Sequence, residues 1–182
     1  MYKWFGCLML SCLFFLSGCM SSTAYKDKDV AAVVRGEKIT VGYLRFLYPD
    51  DALTDMVEGA VKAKLAEQEV KKMNIDISKQ VIDIKESHGT YPPDELKSAE
   101  AQSIRTFADP QAAKLGIEPQ EYYKKYTETS AKMVAYINTY TSEILGELKD
   151  DEFGIEEYDH HANELLDDLV EQNKEAIEIR IK

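Results

Sequence analysis

Three residue types in this 182-residue chain could carry chemistry: three histidines, three cysteines and eleven tyrosines. His160, His161 and Glu164 sit in the stretch EYDHHANE. On a helix His160 shares a face with Glu164, and His161 shares one with Glu157. Zinc needs three or four converging ligands, and each face supplies two, so histidines solvated among acids are expected and no metal. His88, alone in HGTYPP, reads as a turn side chain. The acids that could act as general acid–base pairs fall mostly on polar helical faces. No G-x-S-x-G elbow, phosphate loop or dinucleotide fingerprint occurs. Catalytic residues and cofactors are therefore not expected. The tyrosines stand apart, because Tyr122, Tyr123, Tyr126, Tyr136 and Tyr140 crowd one helical segment. Rigid amphipathic rings suit adaptable recognition of peptide. At this spacing they also suit plain core, and both readings stand.

The cysteines Cys7, Cys12 and Cys19 belong to the N-terminus, MYKWFGCLMLSCLFFLSGC. Lys3 precedes an apolar run that is too short for a bilayer span of about 20 residues. A charged start, an apolar middle and small residues make the layout of a secretory signal. Ser17-Gly18 before Cys19 resembles a bacterial lipobox. That resemblance implies cleavage before Cys19, lipid on its sulfur, and a position on the outer face of the bacterial cell membrane. An uncleaved anchor with an incidental cysteine is the alternative. If Cys19 carries lipid, the mature chain has no thiol for disulfides or metal. Residues 19–29 are polar and aperiodic after Cys19 and read as a tether, at most about 35 Å when extended and ~18 Å as a coil.

The net charge of −11 is unevenly spread. The stretch from Glu143 to Lys182 holds fourteen acids against four bases. Such a tail argues against nucleic acid, which needs clustered Lys and Arg, and against anionic head groups. It reads as a solvated helical face or as a surface for a basic partner.

Beyond the tether the pattern predicts one mostly helical domain over 30–182. Val30–Val34 and Lys38-Ile39 read as short strands around an Arg35-Gly36-Glu37 turn. Thr40 can cap a short helix that Pro49 ends. A longer helix follows to about Met73, with Leu53, Met56, Val57, Ala60, Val61 and Leu65 on one stripe. Ser78 can cap a helix carrying Val81 and Ile82. Pro93 suits the first turn of another, with Leu96, Ala99, Ile104 and Phe107 inward. Asp109-Pro110 and Gly116 bracket a further turn or two. The strongest periodicity runs from Pro119 to about Leu148, through Tyr122, Tyr126, Met133, Val134, Ile137, Tyr140 or Thr141, and Ile144. A final helix aligns Ile155, Tyr158, Ala162, Leu165, Leu166, Leu169 and Val170. The ending EAIEIRIK alternates isoleucine with charge. This strand, about 176–182, and Val30–Val34 each need a backbone partner, so the two are expected to pair, with Ile177, Ile179 and Ile181 toward the helices.

VAAVVRGEKITVGYLRFL, followed by DMVEGAVKAKLAEQEVKKMNIDIS, is similar to the N-terminal domain of the SurA/PrsA family of extracytoplasmic chaperones and peptidyl-prolyl isomerases. Val33, Gly36, Ile39 and Thr40 fit that family's strand, turn and helix start. Glu69, Lys71, Lys72, Ile75, Ile77 and Ser78 fit the end of its next helix and the break after it. AKLGIEPQEYYKKY looks like the lead into its long final helix. The likeness covers about Val30 to Leu148. The parvulin-type isomerase domain that often follows has no counterpart in residues 149–182, which hold one helix and one strand.

The resemblance implies a helical cradle for extended client chains. The expectation is a lipid-tethered, extracytoplasmic protein that binds unfolded or nascent secreted polypeptide without catalysis. An adaptor for one folded envelope partner is the alternative, and a peptidyl-prolyl isomerase is the third reading.

Overall fold

The computed structural model describes residues 25–146 and 152–182, without the side chains of residues 152 and 153. The signal segment, Cys19 and Leu148 lie outside the described residues.

The fold opens on a hairpin. β1 (Val30–Val34) and β2 (Glu37–Thr40) are joined by Arg35 and Gly36, at φ 47° and 87°. Two successive left-handed residues match the twist of the flanking strands, and Gly36 adopts that conformation without a Cβ penalty. Thr40 caps α1 (Val41–Leu47), its side-chain oxygen accepting the Tyr43 N–H at 3.1 Å. Tyr48 is extended before Pro49 and ends the helix. One 3-10 turn leads into α2 (Leu53–Met73), which closes on left-handed Asn74. Then come α3 (Ser78–His88), α4 (Ala99–Leu115), α5 (Pro119–Leu145) and α6 (Glu152–Gln172), and a 3-10 turn delivers β3 (Ile177–Ile179).

The expected closure of the two chain ends is present. β3 pairs antiparallel with β1, Ala32 opposite Ile179 and Val34 opposite Ile177, giving the sheet order β2-β1-β3. Arg35 N–H donates to Ala176 O and Arg180 N–H to Ala31 O, both at 2.8 Å. Ile181 is buried, while Ile177 and Ile179 are half-buried. Arg35 locks the corner, with Nη1 2.6 Å from Glu69 of α2 and Nε 2.9 Å from Asn173 after α6.

Two cores result. The larger lies under the sheet and gathers aliphatic side chains such as Val34, Leu44, Val61, Leu65 and Leu169. Alanines Ala60, Ala66 and Ala135 within it let α2 and α5 approach closely. The smaller joins Ala108 and Ala112 of α4 to Tyr122 and Tyr123 of α5, with Phe46, Phe107 and Tyr126 against them.

Several starts and stops differ from the sequence reading. Ser98, not Pro93, opens α4, accepting the Ala101 N–H at 3.2 Å. That helix continues through Pro110, which lacks the N–H for Thr106. Its neighbours Ala108, Gln111 and Ala112 are buried, and that packing holds the helix together. Ile77 stands at the N-cap of α3 without a side-chain cap, and Asp76 before it accepts the Ser78 N–H at 2.9 Å and hydroxyl at 2.6 Å. On α5 the expected stripe gives way to small residues, with Thr127, Ser130, Ala131 and Ala135 buried and Ile144 exposed. Several elements pack around α5, so its inward surface is broader than one stripe.

The body also begins earlier than the tether reading places it. Residues 25–29 are docked on the fold. Asp29 O accepts the Val41 N–H and Asp27 O the Gly42 N–H, both at 2.9 Å. A Cβ on Gly42 would stand 3.0 Å from Asp27, so glycine permits this approach. Arg45 holds Asp27 at 2.6 Å, and the Tyr25 hydroxyl accepts the Lys182 N–H at 3.2 Å.

Candidate binding groove

The five tyrosines divide between structure and surface. Tyr122 is wholly buried, and its hydroxyl donates to Phe46 O at 2.9 Å. Tyr123 donates to His88 O at 3.0 Å. Tyr126 stacks on Tyr122 and meets Phe107 at a ring distance of 4.8 Å. Tyr140 lies in the aliphatic core. Burial pushes the Tyr122 hydroxyl up to about 12. These four are core side chains. Tyr136 faces an open groove, with the Lys71 ammonium 5.8 Å above its ring.

That groove, about 550 Å³, has three sides. Ala60, Ala63, Lys64 and Glu67 of α2 form the floor. Lys38, Ile39 and Thr40 of β2, with Tyr43 of α1, form one wall. Thr129, Lys132, Met133 and Tyr136 of α5 form the other. The hairpin and α5 therefore face each other across α2, and residues far apart in sequence share one depression.

Glu67 is the groove's acid. Burial pushes its carboxyl up, but hydrogen bonds from Lys64 and Lys71 outweigh that and hold it below the usual carboxylate range. Burial, then Glu67, raises the Tyr43 hydroxyl, which stays neutral at physiological pH. Lys132 is bonded to Glu128 at 3.0 Å. Lys38 has no carboxylate within ion-pair distance among the described residues. A protein of net charge −11 thus presents a groove with three lysines and one glutamate in its lining.

A second cavity, about 600 Å³, lies beside Gly89, Thr90, Tyr91 and Tyr123. Its tyrosines are engaged structurally, Tyr91 donating to Asp109 at 2.6 Å and Tyr123 to His88. Burial first, then Asp109, pushes the Tyr91 hydroxyl up to about 12.

His160 and His161 remain exposed, facing Glu164 at 3.4 and 3.2 Å. Among the described residues no three His, Cys, Asp or Glu side chains gather to hold a metal. His88 Nδ1 lies 2.7 Å from Ile84 O at the end of α3. In the sequence Tyr43 belongs to the short helix, Met133 to the long one and Ile39 to a hairpin strand, and nothing local to any of them shows that they share a groove.

No protein-family model, no curated protein and no solved structure matches this chain. Its likeness to the SurA/PrsA family rests on the sequence motifs alone.

Proposed function

We propose that this protein binds extended, unfolded polypeptide in the groove between the hairpin and α5, without catalysis. The observation that carries this reading is the groove itself, an open trough whose floor sets Ala60 and Ala63 beside the paired Lys64 and Glu67, with aromatic and thioether walls from Tyr43, Tyr136 and Met133. Aromatic and methionine side chains adapt to varied apolar partners, as a binder of unrelated clients requires. The motif likeness to extracytoplasmic chaperones points the same way. Lipid at Cys19 would hold the body at the outer face of the membrane. Only five residues lie between Cys19 and docked Tyr25, a reach of roughly 20 Å.

The test is aggregation of a chemically denatured protein on dilution. At near-equal concentration the full chain, in detergent micelles, suppresses light scattering. It leaves a proline-limited refolding rate unchanged, a phase of tens of seconds in which catalysis would show. Unaltered scattering, with crosslinking in cells to one folded envelope protein, would replace this reading with the adaptor.

A further inference from the structure

The groove runs along a sheet edge that no described strand pairs. In the order β2-β1-β3, β2 has a neighbour on one side only. The hydrogen bonds define which of its backbone groups are free. Arg35 N–H reaches Ala176 O and Ala31 O receives the Arg180 N–H, so the odd-numbered residues of β1 face β3. Val33 belongs to that set, and its partner across the hairpin is Lys38. In an antiparallel ladder such a pair does not bond to itself, so Lys38 turns its N–H and C=O away from β1. Lys38, Ile39 and Thr40 all line the groove, which places this edge at its wall.

We propose that an extended segment of a client adds to β2 as a further strand, and that segments alternating apolar residues with carboxylates are preferred. The proposal rests on the groove being a polypeptide site. Main-chain bonds to Lys38 would give sequence-tolerant affinity, and alternate side chains would give selectivity. One set would enter the trough over Ala60 and Ala63. A carboxylate beside Lys38 would make the favourable cross-strand pair that its ammonium does not make among the described residues. A lysine on an edge ordinarily discourages strand pairing. It discourages basic strands and attracts acidic ones. None of the described acids from Glu143 onward lines the groove, and the one carboxylate in its lining, Glu67, is taken up by Lys64 and Lys71.

The probes are fluorescent ten-residue peptides read by anisotropy against the full chain in detergent. One alternates valine with glutamate and one valine with lysine. Two N-methylated forms of the acidic peptide carry the methyl on the valines or on the glutamates. Only one parity of a strand's N–H groups faces its neighbour. The acidic peptide is expected to bind about tenfold more tightly than the basic one, and one methylated form to lose about tenfold while the other does not. Lys38→Pro removes both the outward N–H and the ammonium and should weaken the acidic peptide by at least a similar factor, whereas Lys38→Ala keeps the N–H and should lose only the preference for the acidic peptide over the basic one. Should the proline variant not fold, the methylated pair still decides. Equal affinity of the two methylated peptides, or of the acidic and basic ones, overturns strand addition. If the denatured client is still held in that case, the polypeptide-binding reading survives. If neither peptides nor client bind, both fall.

Discussion

The core beneath the sheet and the core around Tyr122 are built from different materials and close different distances. Beneath the sheet, aliphatic side chains from both chain ends meet. β1 and β3 are about 145 residues apart in sequence, and the segment begun by Tyr25 contacts Lys182. Around Tyr122 the partners are rings from α1, α4 and α5, and polar tips bond to backbone carbonyls of Phe46 and His88. The aliphatic core ties the N-terminal hairpin to the C-terminal strand. The aromatic core aims α4 and the first half of α5. The two also join through Lys114 of α4, whose ammonium caps the end of α1 by donating to Arg45 O at 2.9 Å and Tyr48 O at 3.2 Å. Positive charge at a helix C-terminus is favourable there. Helix α5 thus serves both cores as a shared spine, aromatic where it turns α4 and small-sided where it lies against α2.

Removing the closing strand should separate the two cores most sharply. Deleting Ile177–Lys182 strips one buried and two half-buried isoleucines and uncovers β1. The expected loss is about 4–6 kcal/mol, a fall in melting temperature of roughly 10–20 °C, read by circular dichroism. An unchanged curve would mean that the aromatic core and the helices alone hold the domain.

A smaller and more local effect is expected at the other core. Tyr122→Ala should cost about 3–5 kcal/mol by analogy with large-to-small core changes. Native-state hydrogen exchange should then quicken in α4 and early α5, while the β1 amides bonded to β3 keep more of their protection. Equal loss across both regions would show that they open as one unit.

The gentlest probe is alkali. The unfolded chain ionises its tyrosines near 10, whereas burial holds Tyr122 up to about 12, as burial and Asp109 do for Tyr91. From about pH 10 upward the unfolded state therefore binds fewer protons than the folded one, so stability falls with rising pH until the folded hydroxyls ionise at about 12. Tyr122 alone contributes a loss of about 2–3 kcal/mol over that interval. Denaturant midpoints at about pH 8 and about pH 11 capture about half of it, and Tyr122→Phe should flatten part of the slope.

Much of this fold is written locally. The Arg35-Gly36 turn, the Thr40 cap, Pro49 as a stop, Pro119 at a helix start and the alternation in EAIEIRIK depend on backbone sterics and side-chain bonds within a few residues, and all appear in place. The pairing of β1 with β3 was also legible, because two orphan strands in a helical chain have few other partners. Which side of each helix is buried, by contrast, depends on long-range packing. Met56, Leu96 and Ile144 belong to the hydrophobic pattern yet are exposed, while Thr127, Ser130 and Thr139 are buried. Periodicity assigns one face to a helix, and α5 has several neighbours. The docking of residues 25–29 was equally hidden, since it depends on Arg45 and on the space left by Gly42. So was the groove. Sequence placed five tyrosines on one helix, but the side of α5 on which each falls, and the arrival of Lys38 and Tyr43 opposite Tyr136, follow from how α2 packs between the hairpin and α5.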